Sequence, residues 1–269
     1  MSADPQRDWE KGWAEGISTV EDDLWLVTER LKLHYLRPLL PAGGRSLEIG
    51  CGSAKLSTLL AADGLDVYGI DRSPSGLRQA RQNLATVGRP GHFALADAFE
   101  LPFPDGQFDL VFSTGLLEHF SDPVALMREM IRTLRPGGLF FSDVVPLKFS
   151  LVRAAWYLRG LHRTVDDEFP YRRHDVEQWL QQCSLTDVRV FSSCVVPPLG
   201  LLGRMPLGRT VARQGDRLWR AFDDTAIADW LGFFYIALGR KPLTGAATEP
   251  RPGHRDVRAD ASRDPNRAR

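Results

Sequence analysis

The stretch Ser46-Leu47-Glu48-Ile49-Gly50-Cys51-Gly52-Ser53-Ala54-Lys55 constrains this chain more than any other. A short apolar run ends in two glycines, and a helical pattern carried by Leu56, Leu59 and Leu60 begins just after them. Strand, tight turn and helix in that order make the first unit of a parallel sheet. Gly50 and Gly52 permit positive φ and let backbone approach a ligand. The following helix directs unpaired N–H groups and a partial positive charge at whatever lies there. Such a turn holds a polar or anionic ligand at the carboxyl edge of the sheet. Two glycines also make an ordinary turn, so the pattern alone does not name the ligand. A dinucleotide fingerprint needs a glycine where Lys55 stands, and Lys55 follows an alanine rather than the glycine of a phosphate-binding loop.

The alternation continues along the chain. Leu65 to Ile70 reads as a second strand ending at Asp71, 21 residues after Gly50. An acidic side chain there is placed to accept hydrogen bonds from two ribose hydroxyls. The alternative role, a helix N-cap, is better filled by Ser73 with Pro74 at the first helical position. The helix runs to about Val87 and is stopped by Gly88, Pro90 and Gly91. His92 to Ala96 reads as a third strand closed by Asp97, and Phe108 to Thr114 as a fourth, after the turn Pro104-Asp105-Gly106. Ser121 and Asp122 cap a helix over 123–134, and Pro136-Gly137-Gly138 is expected to break it. Leu139 to Val145 is a fifth strand, apolar except for Ser142 and Asp143. Five alternations predict a doubly wound parallel sheet.

The flanks are less regular. Trp9 and Trp13 stand four apart in a polar, acidic segment and share a face if a helix forms. Packing onto the domain is the plainer expectation, and a lid over the ligand the functional one. Residues 24–40 read as a helix with Leu24, Val27, Leu31, Tyr35 and Leu39 near one face. Beyond Pro146, the pattern predicts an amphipathic helix over 150–163, a helix over 175–183, and strands over 188–196 and 231–238. The expected organisation is one domain over 1–240, with an N-terminal helical cover at 1–44 and acceptor-site insertions at 146–173 and 197–229. From Lys241 the composition predicts a disordered tail.

Composition narrows the partners. The chain has 269 residues, enough for one such domain, and its 34 basic and 34 acidic residues leave a formal net charge of zero. A neutral chain has no general attraction for nucleic acid. Cys51, Cys183 and Cys194 are odd in number and far apart, which predicts no disulfide framework, no zinc site and a reducing cytoplasm. No secretory apolar core is expected, and no apolar run approaches the ~20 residues that span a bilayer. The expected partner is a small molecule, bound by a monomer or homodimer.

Four linked stretches carry a resemblance: LEIGCGSAK at 47–55, YGIDRSPSGL at 68–77, ADAFELPFPDGQFDLVFSTGLLEHFSDP at 96–123 and LRPGGLFFSDV at 134–144. In this order and spacing the chain resembles the class I S-adenosylmethionine-dependent methyltransferases, in their small-molecule group. The likeness is strong over 45–145 and covers 174–240 in strand order only. It implies a Rossmann-like α/β fold: a doubly wound, seven-stranded, mostly parallel sheet whose last strand is antiparallel, with helical insertions covering the active site. It implies S-adenosyl-L-methionine as cofactor. Glu48, Gly50, Cys51 and Gly52 would line its methionine end and ribose, Asp71 would bind the ribose hydroxyls, and Arg72 would stand beside it. Asp97 would face the adenine amino group, with Ala98 and Phe99 beside the ring. Ser113 and Thr114 would close the site near the methionine carboxylate. Some members carry a third glycine where Ala54 stands, and alanine is small enough to serve.

Methyl transfer of this kind demands alignment of a nucleophile with the methyl carbon, a positioning effect of about 7–11 kcal/mol. A general base is required only where the acceptor is protonated at neutral pH. His119 is the base candidate beside the cofactor site, because an imidazole ordinarily titrates near pH 7. A capping or packing role would explain it equally well. Tyr171 and His174 are weaker candidates. Glu118 and His119 are adjacent and do not make a metal-ligand set, and no metal is expected. The predicted function is methyl transfer to a small, largely apolar metabolite. The apolar expectation rests on Leu151, Trp156, Tyr157 and Leu158 in one insertion and Leu199, Leu201, Leu202 and Met205 in the other. The alternative is a non-catalytic module that binds the cofactor for regulation or scaffolding. O-, N- and C-methylation stay open.

Overall fold

Continuous apolar strand segments such as Leu110 to Phe112 and Leu139 to Phe141 require a sheet covered on both faces, because successive side chains point to opposite sides. The computed structural model describes residues 9–14, 23–158, 168–195 and 216–243 of the chain, and it has that architecture. Two helices, α1 (Trp9–Ala14) and α2 (Asp23–Leu36), precede the sheet. Then follow β1 (Arg45–Ile49), α3 (Lys55–Ala62), β2 (Asp66–Asp71), α4 (Pro74–Thr86), β3 (His92–Leu95), β4 (Phe108–Thr114), α5 (Pro123–Thr133) and β5 (Leu134–Val144). The remainder is α6 (Leu151–Leu158), α7 (Arg173–Gln182), β6 (Thr186–Ser193), α8 (Asp216–Arg220), α9 (Ala226–Leu231) and β7 (Phe234–Arg240).

The seven strands lie in the order β3-β2-β1-β4-β5-β7-β6. β1 to β5 are parallel, and β7 is antiparallel to both of its neighbours. Strand order reverses between β1 and β4, which opens a crevice outside their carboxyl ends. The core divides by strand parity. Leu110, Phe112 and Phe141 pack with the side that carries α2, α3 and α4, while Val111 and Phe140 pack with α5 and α7. Ser73 caps α4 through the Gly76 N–H at 3.0 Å, with Pro74 at its first position, and Asp122 caps α5 through the Ala125 N–H.

Several boundaries differ from the sequence reading. β5 starts at Leu134, not Leu139, so Pro136-Gly137-Gly138 lies inside the strand. The ladder absorbs it by a register shift against β4, pairing Phe108 with Leu134 and Leu110 with Leu139, a bulge with Gly137 at φ +74°. Leu231 ends α9, which Thr225 caps, and the last strand begins only at Phe234. α2 stops at Leu36, where Pro38 tightens the chain into a 3₁₀ turn over Arg37–Leu39. The expected extension of α6 to 163, the insertion from 197 to 215 and the tail from 244 lie outside the described residues.

Candidate active site

Three strand ends meet at the crevice. The turn after β1 holds Gly50 at φ +63° and Gly52 at φ +46°. A Cβ on Gly50 would stand 2.8 Å from Leu116 Cδ1, and one on Gly52 would stand 2.1 Å from Trp13 Cζ2. Both positions therefore need glycine for space as well as for conformation. Gly52→Ala is expected to push α1 off the turn and to weaken cofactor binding, with about 1–2 kcal/mol of destabilisation from the left-handed backbone. Unchanged affinity and melting temperature would remove Gly52 from the site.

Asp71, at the end of β2, ties that turn to the start of α4. Its Oδ2 accepts the Gly52 N–H and its Oδ1 accepts the Ser73 N–H, each at 2.7 Å. Burial pushes this carboxyl above its ordinary range, and the N–H donors oppose that push. Arg72 and Asp97 are exposed on the same rim. Asp97 Oδ1 takes the Phe99 N–H at 2.9 Å, and the half-exposed Phe99 ring stands edge-on to Phe120, with Ala98 partly buried between.

The other expected site residues are placed differently. Glu48 is buried, takes the Ser57 hydroxyl at 2.6 Å and lies 3.4 Å from the Thr114 hydroxyl. Burial drives its carboxyl up to about 8, so it is largely protonated and neutral at pH 7. The Cys51 thiol points into the core and burial raises it well above its ordinary value, while its N–H is spent on the Ile70 carbonyl. The Ser113 hydroxyl pairs with that of Ser142 inside the sheet at 2.9 Å. The side chains of Cys51 and Ser113 are therefore taken up inside the fold.

His119 lies in a 3₁₀ turn, Leu117–His119, just beyond β4. Its ring is 5.1 Å from that of Trp9, edge to face. Tyr171 instead donates to the Phe120 carbonyl at 2.7 Å and packs against Trp179, and His174 is exposed beside Gln178 on α7. Neither is set up as a base. A hollow of about 440 Å³ lined by His34, Tyr35, Leu139, Arg189 and Arg240 opens at the opposite, amino edge of the sheet and belongs to no part of this crevice.

The sequence reading named Trp9 and Trp13 as packing or lid residues but not Glu10 beside them, and it did not connect Lys32 with Asp143. α1 lies across the crevice, with Trp13 on Gly52 and Trp9 on His119, and Glu10 on the start of α4. The spacing of the two tryptophans was the available signal. Deeper, Lys32 of α2 stands 3.0 Å from Glu29 and 3.1 Å from Asp143 at the end of β5, all three buried. Burial raises Asp143 to about 6 despite the Lys32 ammonium beside it, and raises Glu118 well above its ordinary range.

This geometry agrees with what the chain is similar to. A family model described as "Methyltransferase domain" matches residues 47–142. A ubiquinone biosynthesis O-methyltransferase of Aromatoleum aromaticum is 32% identical over 203 residues, covering 69% of this chain and 84% of that protein. The chain belongs to the class I S-adenosylmethionine-dependent methyltransferases. A 2-methyl-6-phytyl-1,4-hydroquinone methyltransferase of Synechocystis is 35% identical over 144 residues, 52% of this methyltransferase and 41% of that protein, so the chain spans less than half of it. Among solved structures, a Haemonchus contortus phosphoethanolamine N-methyltransferase with S-adenosylhomocysteine matches at TM-score 0.56 and 20% identity, over 79% of this chain and 53% of that one; it shows the fold alone. The methyltransferase is thus an enzyme that moves a methyl group from S-adenosylmethionine to a small molecule, and the non-catalytic alternative is set aside. No described helix is long and apolar enough to cross a membrane.

Proposed function

We propose that the enzyme methylates a hydroxyl oxygen, of phenolic type, on a largely apolar small molecule. The observation that carries this reading is His119, held just beyond the carboxyl end of β4 with its ring edge-on to that of Trp9 at 5.1 Å. A phenol is protonated at neutral pH, with an ordinary pKa of about 10, so its oxygen needs a base as it attacks. One similar protein points the same way, being named an O-methyltransferase of ubiquinone biosynthesis, and a second, named a hydroquinone methyltransferase, supports an aromatic acceptor without naming the atom methylated.

In this reading the cofactor lies along the turn that holds Gly50 and Gly52, and Asp71 accepts from its ribose. Arg72, Asp97, Ala98 and Phe99 form the rim for its base, and neutral Glu48 and Thr114 lie below its methionine end. When bound, S-adenosylmethionine supplies an electrophilic methyl group on a sulfonium that leaves as a neutral thioether. His119 takes the acceptor's proton as the oxygen attacks. In this reading the segments that follow β5 and β6 form the acceptor side of the site. The three free cysteines suit a reducing compartment such as the cytoplasm.

The test is a panel of catechols and hydroquinones against matched anilines and thiols, with labelled cofactor. Label in a phenyl ether supports the reading, and label confined to nitrogen, sulfur or carbon products overturns it. Asp71→Ala is expected to weaken S-adenosylhomocysteine binding by about tenfold to a hundredfold, the value of a hydrogen bond to a charged group. Calorimetry on the folded variant checks it, and an unaltered affinity would take Asp71 out of the cofactor site.

A further inference from the structure

α1 crosses from one end of the crevice to the other. At one end Trp9 meets the His119 ring at 5.1 Å, and at the other Trp13 lies against the bare Cα of Gly52. Yet no residue of α1 is buried. An element with no fully buried residue opens at low cost, and its polar contacts then weigh heavily in holding it. Here those contacts converge on one side chain. The Glu10 carboxylate accepts from the Ser73 hydroxyl at 2.5 Å, from the Ser75 N–H at 3.0 Å and from the Ser75 hydroxyl. The Trp13 carbonyl adds a bond from Gln79 at 2.7 Å. The hydroxyl and N–H donors on Glu10 lower its carboxyl to about 2, so it is ionised at neutral pH.

The residues that α1 touches are those on either side of the cofactor's place. Ser73 is two residues beyond Asp71 and shares its local hydrogen bonds, Gly52 donates to Asp71, and His119 stands at the acceptor side. A ligand spanning Asp71 and His119 therefore lies beneath α1. We propose that Glu10 is a positioning residue: it latches α1 over the crevice, placing Trp13 and Trp9 as its outer wall, and its release from Ser73 and Ser75 times cofactor and product exchange. This rests on the reading that the glycine turn and Asp71 hold the cofactor. It places in the working site a segment that lies outside the residues 47–142 matched by the family model.

The test is the dissociation rate of S-adenosylhomocysteine from the whole enzyme, followed by chase with excess unlabelled ligand. Glu10→Ala is expected to speed dissociation by about tenfold with a smaller change in association, since such contacts act mainly on the off-rate. Glu10→Gln keeps a carbonyl oxygen for the Ser75 N–H and should restore most of the slow exchange. Ser75→Ala should act in the same direction, and the Glu10→Ala/Ser75→Ala double variant should dissociate no faster than Glu10→Ala, because both remove one shared contact. An unchanged rate in folded Glu10→Ala, or additive effects of the two substitutions, would overturn the latch. Wild-type affinity in Asp71→Ala would instead overturn the reading of the cofactor site beneath it, so the two failures are separable.

Discussion

Replacing His119 by alanine is expected to lower kcat for a phenolic acceptor by about 10²–10⁴-fold, the range of general-base catalysis. The affinity for S-adenosylhomocysteine should change little, because the glycine turn and Asp71 lie across the crevice. His119 is half-buried in a turn that β4 fixes, and Trp9 limits its ring on one face. A purely packing histidine would show a different pattern. Its loss would lower melting temperature and cofactor affinity together, and a ring of similar shape would repair it. A base is repaired by basicity, so added imidazole should return part of the rate to His119→Ala without altering its melting temperature. Full activity in the variant on the same acceptor, or no response to imidazole despite a large loss, would remove His119 as the proton acceptor and leave it a wall residue.

The parts of this site that were legible in the sequence are those written by local backbone need. Gly50 and Gly52 announce themselves because positive φ and the absence of a Cβ are required there, and Asp71 because it falls at a strand end. The strands were legible through apolar runs bounded by turns, and β4 fell on Phe108–Thr114 as read. Pro136-Gly137-Gly138 misled because a bulge inside a strand and a break before it use the same residues. Cys51 and Ser113 belong to the right motif, yet the alternation of side chains along the chain turns theirs inward. Glu48 reads as a polar lining group, and only the three-dimensional burial around it makes it neutral. The docking of Glu10 on Ser73 and Ser75 joins segments far apart in sequence, and no periodicity records such a contact.

Lys32 is the strongest case of that kind, and its replacement is expected to have the largest effect on stability. The residue interrupts α2 next to the apolar Leu31 and Leu33, and its partner Asp143 interrupts β5 beside Phe141 and Val144. Each alone looks like a polar exception. Together with Glu29 they form a buried triad, with the ammonium also 5.3 Å from the Phe234 ring. Carboxylate neighbours hold the Lys32 ammonium well above its ordinary pKa despite burial, so it is charged throughout the working range. Lys32→Met removes that charge and leaves two carboxylates in the interior, a loss of about 3–5 kcal/mol for breaking a buried pair. The pH dependence has a definite sign. Burial already raises folded Asp143 to about 6, above its ordinary 3.8, so its ionisation costs stability as pH rises through that window. Without the ammonium its folded pKa moves further up, and the cost extends to higher pH. The deficit of Lys32→Met against wild type should therefore be greatest near pH 8 and shrink toward pH 5. Lys32→Met combined with Asp143→Asn should recover part of it, because only one buried carboxylate then lacks a cation. Denaturant melts of the three proteins at both pH values decide the matter. A deficit that does not vary with pH, or a double variant less stable than Lys32→Met, would show that Lys32 acts by filling space and that the charge it carries between α2 and the end of β5 is not what holds the cover to the sheet.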